Sequence, residues 1–169
     1  MEYNFPVLDG GTTQIGLEST VLDITTEPLT IYRPGEISKE KIEKITGRAV
    51  QLEKNVSENE QARSPGTKYS HYAPEAAVQW FGPETKSNLQ NALYLFHTNE
   101  APELKSLIHY QRNYHKMAGE LYDRFRQADI EGYEKVIIEP LDQQIRQTHP
   151  ITEALHNRIS KALSKHRSS

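Results

Sequence analysis

Short apolar runs set off by polar breaks open the chain, and longer amphipathic stretches follow in its second half. Residues 18–24 (Glu-Ser-Thr-Val-Leu-Asp-Ile) are rich in β-branched and aliphatic types and predict a strand. A second short strand is predicted over 29–33. Residues 25–28 read as the turn between them, so a hairpin is the expected unit. Pro34-Gly35 suits the two central positions of a type II turn. Ser38 is a good N-cap for a helix through Thr46, with Ile37 and Ile42 at hydrophobic-staple positions and Gly47 as the stop.

The stretch 53–75 is polar at first, in the manner of a linker or surface loop. It ends in a different run, Ser64-Pro65-Gly66-Thr67-Lys68-Tyr69-Ser70-His71-Tyr72-Ala73-Pro74. From residue 76 onward, strands are expected over 77–81, 92–96 and 135–139, with a short one over 107–110. Residues 113–131 predict a helix, with Met117, Leu121, Phe125 and Ala128 on one face and Gly132 as its stop. Residues 151–165 predict another, with Ile151, Leu155, Ile159, Ala162 and Leu163 on one stripe. Strands alternating with helices point to a small α/β unit with a mainly parallel sheet. Three zones follow: 1–52, 53–75 and 76–169.

The first zone poses a physical problem. An isolated hairpin is marginal in water, and so is a helix this short. Yet Val21, Leu22, Ile24, Ile31, Ile42 and Ile45 all call for burial. The zone must pack on something else, either the rest of this chain or a partner. The simplest expectation is that it is the tail end of a larger domain.

Composition narrows the classes. Charged residues make up 25% and the hydrophobic set 36% of 169 residues. The net charge of −3 gives no basic surface of the kind that binds RNA. The absence of cysteine removes disulfides and thiolate chemistry, and fits a cytoplasmic protein. No apolar run approaches the roughly 20 residues of a membrane span.

Candidate chemistry gathers in the first two zones. Gly10, Gly11 and Gly16 would let backbone approach a ligand, or would simply make turns. Ser19 and Thr20 offer hydroxyls to an amino acid or phosphate, although both types are common in strands. Arg33 at a strand end offers a planar fork for phosphate oxygens, or a solvated charge. In the second zone, Tyr69 and Tyr72 can pack on a flat base or close a pocket, while Lys68 and His71 can meet phosphate. The alternative there is an interdomain strap held by aromatic packing. His149 and His156 lack a third metal ligand, so no metal site is expected. Asp123, Arg124, Arg126 and Asp129 read as a solvated helix face. No P-loop or dinucleotide fingerprint follows any strand.

Taken in order, Leu-Asp-Gly-Gly (8–11), Gly-x-Glu-Ser-Thr-x-x-Asp (16–23), Arg-Pro-Gly (33–35) and Ser-Pro-Gly-x-Lys-Tyr-x-His-Tyr-x-Pro (64–74) resemble the long, two-domain threonylcarbamoyl-AMP synthases. The first three motifs are similar to the end of that family's YrdC-type catalytic domain, and the fourth to its interdomain linker. Residues 118–129 and 153–159 look like helices of its accessory domain. The resemblance implies a hairpin-helix fragment of the catalytic domain over 1–52, the linker over 53–75, and a Rossmann-like accessory domain over 76–169. It implies a nucleotidyltransferase that condenses L-threonine, bicarbonate and ATP, with Mg2+, into threonylcarbamoyl-AMP and pyrophosphate. Other proteins would then carry the group to tRNA.

Ser19 would contact threonine and Arg33 the nucleotide phosphates. Lys68, Tyr69, His71 and Tyr72 would form a lid. No catalytic residue is assigned. The family's earlier motifs, including the Lys and Arg that grip ATP, have no counterpart in these 169 residues. Thr67 stands where methionine is usual, and residues 143–147 replace a glycine-rich turn. The chain by itself is therefore expected to be inactive, needing an N-terminal catalytic portion or a second copy. The rival expectation is a non-catalytic α/β module that binds a ligand or partner.

Overall fold

The computed structural model describes residues 6, 8, 10, 11, 13, 15–53, 72–83, 85, 91–98 and 103–165. They form two sheets. The smaller has three strands, β1 (Val21–Asp23), β2 (Leu29–Arg33) and β3 (Val50–Leu52), in that order, with α1 (Lys39–Thr46) joining β2 to β3. β1 pairs antiparallel with β2, as the hairpin reading requires, and β3 runs parallel to β2 with Val50 opposite Leu29.

Asp23 fastens the hairpin. One carboxylate oxygen accepts the Thr25 N–H at 2.8 Å, and the other accepts the Tyr32 hydroxyl at 2.7 Å. Ser38 caps α1 through the Lys41 N–H at 3.3 Å. Gly47 ends the helix at φ 66°, donating to the Glu43 carbonyl at 2.9 Å.

Two expectations for this zone need correction. A type II turn at Pro34-Gly35 would need positive φ at Gly35. The described glycines with positive φ are Gly11, Gly16, Gly47 and Gly132. Gly35 is there for space instead, because a Cβ on it would stand 2.4 Å from the Thr20 nitrogen. The expected burial is also only partly met. Leu29, Ile31, Ile42 and Val50 form the small core, with Leu22 against it. Ile24 and Ile45 are 68% and 74% exposed. Four residues make a small core, and part of the zone's support comes from elsewhere in the chain: Ile15 and Leu17 pack on the core of the larger unit.

The larger sheet has four strands, β4 (Ala77–Trp80), β5 (Ala92–Phe96), β6 (Leu107–His109) and β7 (Lys135–Ile138). Their spatial order is β4-β7-β5-β6, and all three pairings are parallel. The α/β expectation with a mainly parallel sheet is met. All five residues of β5 are buried, as its unbroken apolar run suggests for a central parallel strand.

One face of the sheet (Val78, Leu93, Leu95, Val136, Ile138) shares a core with α2 (Tyr114–Ile130) and α4 (Ile151–Lys165). α2 buries Met117, Ala118, Leu121, Phe125 and Ala128, while α4 buries Ile151, Ala154, Leu155, Ile159 and Ala162. The other face gathers Ala92, Tyr94, Phe96 and Ile137 under Phe81, Leu104 and Leu107. Between β7 and α4 lies α3 (Gln143–Thr148), capped by the Asp142 carboxylate, which accepts the Ile145 N–H at 2.8 Å. No helix among the described residues is long and apolar enough to cross a membrane.

Asp129 is more than part of a solvated face. Its Oδ1 accepts the N–H groups of Glu75 and Ala76, at 2.9 and 3.1 Å, where the chain enters β4. Asp129→Ala would leave two donors without their acceptor and is expected to cost about 1–3 kcal/mol. Asp129→Asn keeps an acceptor oxygen and should cost less. Chemical denaturation of the two variants checks this; equal losses would mean that the carboxylate oxygen is not what holds the turn.

Candidate functional site

Ser19 lies two residues before β1 and Arg33 ends β2, and the fold brings them into contact. The Arg33 Nε donates to the Ser19 carbonyl at 3.0 Å, and a terminal nitrogen lies 3.5 Å from the Ser19 hydroxyl. Gly35 makes this approach possible. Its α-carbon faces the backbone of residues 18–20 so closely that a Cβ would meet the Ser19 carbonyl carbon at 2.7 Å and the Glu18 oxygen at 2.9 Å. Thr20 points the other way, donating its hydroxyl to the Ile37 carbonyl at 2.9 Å.

Next to Ser19, Glu18 reaches across to the larger unit. Its Oε2 accepts from Arg158 Nε at 2.6 Å and from the Tyr122 hydroxyl at 3.2 Å. Arg158 also donates to the Pro34 carbonyl at 3.2 Å and to the Asn157 side chain at 2.7 Å. Burial works to raise Glu18, but the Arg158 hydrogen bond and charge, a backbone N–H and the Tyr122 hydroxyl outweigh it. The carboxyl is held below its ordinary value. Burial first, and then the Glu18 carboxylate, hold the Tyr122 phenol well above its ordinary value, so it serves as a donor.

Lys161, one turn along α4 from Arg158, is pushed down to about 8. Burial is the main cause, and the charges of Arg158 and Arg33 add to it against the pull of Glu18. Arg158 is bonded to Glu18, and Lys161 lies within electrostatic reach of Arg158, Arg33 and Glu18, a locally cationic setting whose charge favours an anion.

Of the four expected lid residues, Lys68, Tyr69 and His71 lie outside the described residues. Tyr72 is described. Its ring lies 4.6 Å from that of Tyr122, centroid to centroid, which puts it one side chain away from Glu18 and two from Ser19. At the same seam Gly16, at φ 66°, sits against α2, where a Cβ would fall 2.6 Å from the Gly119 α-carbon. Ser19 and Arg33 are therefore brought into contact, and Tyr72 is linked to their neighbour Glu18 through Tyr122.

His149 and His156 do not converge. The His149 ring packs on Tyr114 at 4.7 Å and the His156 ring stacks on Trp80 at 5.5 Å. Among the described residues no group of three or more His, Asp or Glu side chains is placed to hold a metal ion.

The sequence assigns Glu18 no role beyond its place in the motif and does not mark Arg158, Tyr122 or Lys161 as site residues. A signal for Arg158 was present. Positions 151, 154, 155, 158, 159 and 162 form one helical stripe, and an arginine on an apolar stripe calls for a buried partner. The partner itself is 140 positions away and no local pattern points to it.

Comparisons with known proteins agree with the fold. The family described as threonylcarbamoyl-AMP synthase, C-terminal domain, matches residues 37–164. The threonylcarbamoyl-AMP synthase of Bacillus subtilis is 48% identical over 73 residues, covering 43% of this chain and 21% of that protein. The protein of the same name from Schizosaccharomyces pombe is 27% identical and covers 94% of this chain and 45% of itself. The crystal structure of P. abyssi Sua5 complexed with L-threonine superposes with a TM-score of 0.68 at 26% identity, over 92% of this chain and 48% of that one. The chain thus spans between about a fifth and just under half the length of these relatives. With most of its length matched by that family, the chain belongs to the threonylcarbamoyl-AMP synthase C-terminal domain family.

Proposed function

We propose that this chain is the C-terminal part of an L-threonylcarbamoyladenylate synthase and supplies one wall of its substrate site. The observation that carries the reading is the contact between Arg33 and Ser19, fourteen positions apart. In this reading the Ser19 hydroxyl binds L-threonine, and the Arg33 guanidinium meets the phosphates of ATP. The lid is the linker segment that includes Lys68, Tyr69, His71 and Tyr72.

The reaction would join the threonine amine to bicarbonate-derived CO2. The resulting carbamate oxygen would attack the α-phosphate of ATP as the bond to pyrophosphate breaks. The cationic surplus around Glu18 suits the negative charge that spreads over the phosphate oxygens, and fixed positions for both reactants supply much of the rate. Mg2+ on the ATP phosphates would offset part of that charge in the complete enzyme, and no step is assigned to it. Proteins acting later would pass the threonylcarbamoyl group to tRNA.

Pyrophosphate release from ATP, L-threonine and bicarbonate tests the reading, using the chain alone and mixed with a separately produced N-terminal catalytic portion. Release is expected only from the mixture. Arg33→Met should lower it about 100-fold, the scale of losing one charge-stabilising donor. Turnover by the chain alone, or an unaffected Arg33→Met mixture, would overturn the proposal. In the latter case the α/β unit would be a non-catalytic binding module with Tyr72 as a mere strap.

A further inference from the structure

We propose that Arg158 on α4 is a positioning residue for the Ser19–Arg33 site, setting from the larger unit the distance between the two segments that carry those side chains. The inference rests on the reading of Ser19 and Arg33 given above and extends it to a residue outside the catalytic-domain motifs.

One guanidinium holds both segments. Its Nε donates to Glu18, the residue before Ser19, at 2.6 Å, and a terminal nitrogen donates to the carbonyl of Pro34, the residue after Arg33, at 3.2 Å. The remaining terminal nitrogen is fixed by Asn157 at 2.7 Å, so the plane of the fork is set from its own helix. The Arg158 side chain is only 4% exposed, and few alternative positions are open to it. Arg33 bridges the same two segments from within the small sheet, by its bonds to Ser19. Residues 18–19 and 33–34 are therefore clamped twice, once from each unit. The Tyr122 hydroxyl holds the Glu18 carboxylate from α2 as well.

Stability alone does not account for this arrangement. Withdrawing an ion pair from water costs about as much as its attraction returns, and an apolar side chain of similar size often serves a core equally well. Nor does neutralising Glu18 require the second bond to Pro34. That bond needs a rigid planar fork with separate donors, which arginine has and lysine lacks. A clamp that sets the spacing of two backbone segments uses both features. It also gives the larger unit, which carries no P-loop or dinucleotide fingerprint, a part in the chemistry proposed for the smaller one.

The test uses the mixture of this chain and the catalytic portion, with kcat and KM measured for L-threonine and ATP. Arg158→Met is expected to lower kcat/KM by about tenfold to a hundredfold, the scale of a small misplacement of reacting groups. Arg158→Lys should recover only part, because it restores charge without the fork. Glu18→Gln should lower kcat/KM in the same direction, and Arg158→Met with Glu18→Gln should be little worse than Arg158→Met alone. Unchanged kinetics in Arg158→Met while Arg33→Met still fails would overturn the inference and leave the site reading standing. If Arg158→Met does not fold, Glu18→Gln with unchanged KM and kcat would overturn it as well.

If the mixture shows no turnover at all, the site reading has failed, and the geometry is still open to measurement in the chain by itself. There the Ser19 amide and Arg33 Nε–H resonances should shift in Arg158→Met, by more than those of α1. Resonances that stay in place would overturn the clamp.

Discussion

Phe125→Ala is expected to lower the stability of the chain by about 3–5 kcal/mol. The ring is 2% exposed, in the core where α2 and α4 meet the parallel sheet. It lies between Leu121 and Ala128 along the buried stripe of α2, with the Tyr122 ring 6.4 Å away. Removing it loses a large apolar transfer term and leaves a cavity that neighbouring Leu121, Leu155 and Ile159 can fill only by moving α2. α2 also carries Tyr122 and Gly119, which meet Glu18 and the tight turn at Gly16. Loosening α2 should therefore release the small sheet as well. For a chain of this size each kcal/mol moves the midpoint by about 2–4 °C, so a fall of about 6–20 °C is expected. A thermal melt followed by circular dichroism checks it. A drop smaller than that of Phe125→Leu would mean that the ring is not the keystone of the α2 seat.

The larger sheet was readable because its signals are strong and local. β5 is an unbroken apolar run, and α2 and α4 carry long stripes with recognisable ends, Asn113 before α2 and Gly132 after it. β3 and α3 were not readable, for a physical reason. β3 has a single buried residue, Val50, and no β-branched run around it, and six residues cannot display a helical stripe. β3 exists because β2 and α1 offer it a parallel edge and a place for Val50 in the small core. Ile24 and Ile45 show the opposite limit. Their apolar character was plain, but burial depends on what lies beside them, and in this chain they face outward.

The site followed the same division. The pairing of Ser19 with Arg33 lies at the open end of one hairpin, where Arg33 pairs with Val21, so motif spacing could suggest it. The bond from Arg158 to Glu18 crosses the whole chain and becomes visible only when the two units are seen together. Gly35 lay between these cases. Its place in Arg-Pro-Gly suggested a turn, whereas its use is to let two backbones touch.

That use leads to a second large effect. Gly35→Ala is expected to cost about 1–3 kcal/mol through overpacking and to lower kcat/KM of the reconstituted enzyme about 100-fold. A Cβ at this position would stand 2.4 Å from the Thr20 nitrogen, 2.7 Å from the Ser19 carbonyl carbon and 2.9 Å from the Glu18 oxygen. All three are backbone atoms, so no side-chain rotation relieves the contact and the 18–20 segment must retreat from 33–35. The bonds of Arg33 to Ser19 and of Arg158 to both segments lie across that gap. Gly47→Ala is the matched control. It places a methyl group where nothing lies within 4 Å, but at φ 66°, and so costs about 1–2 kcal/mol of backbone strain at a point remote in sequence from these bonds. Melting curves of the two variants should be similar, while pyrophosphate release should fall steeply in Gly35→Ala alone. Equal activity in the two would mean that the spacing between Ser19 and Arg33 is not what catalysis requires.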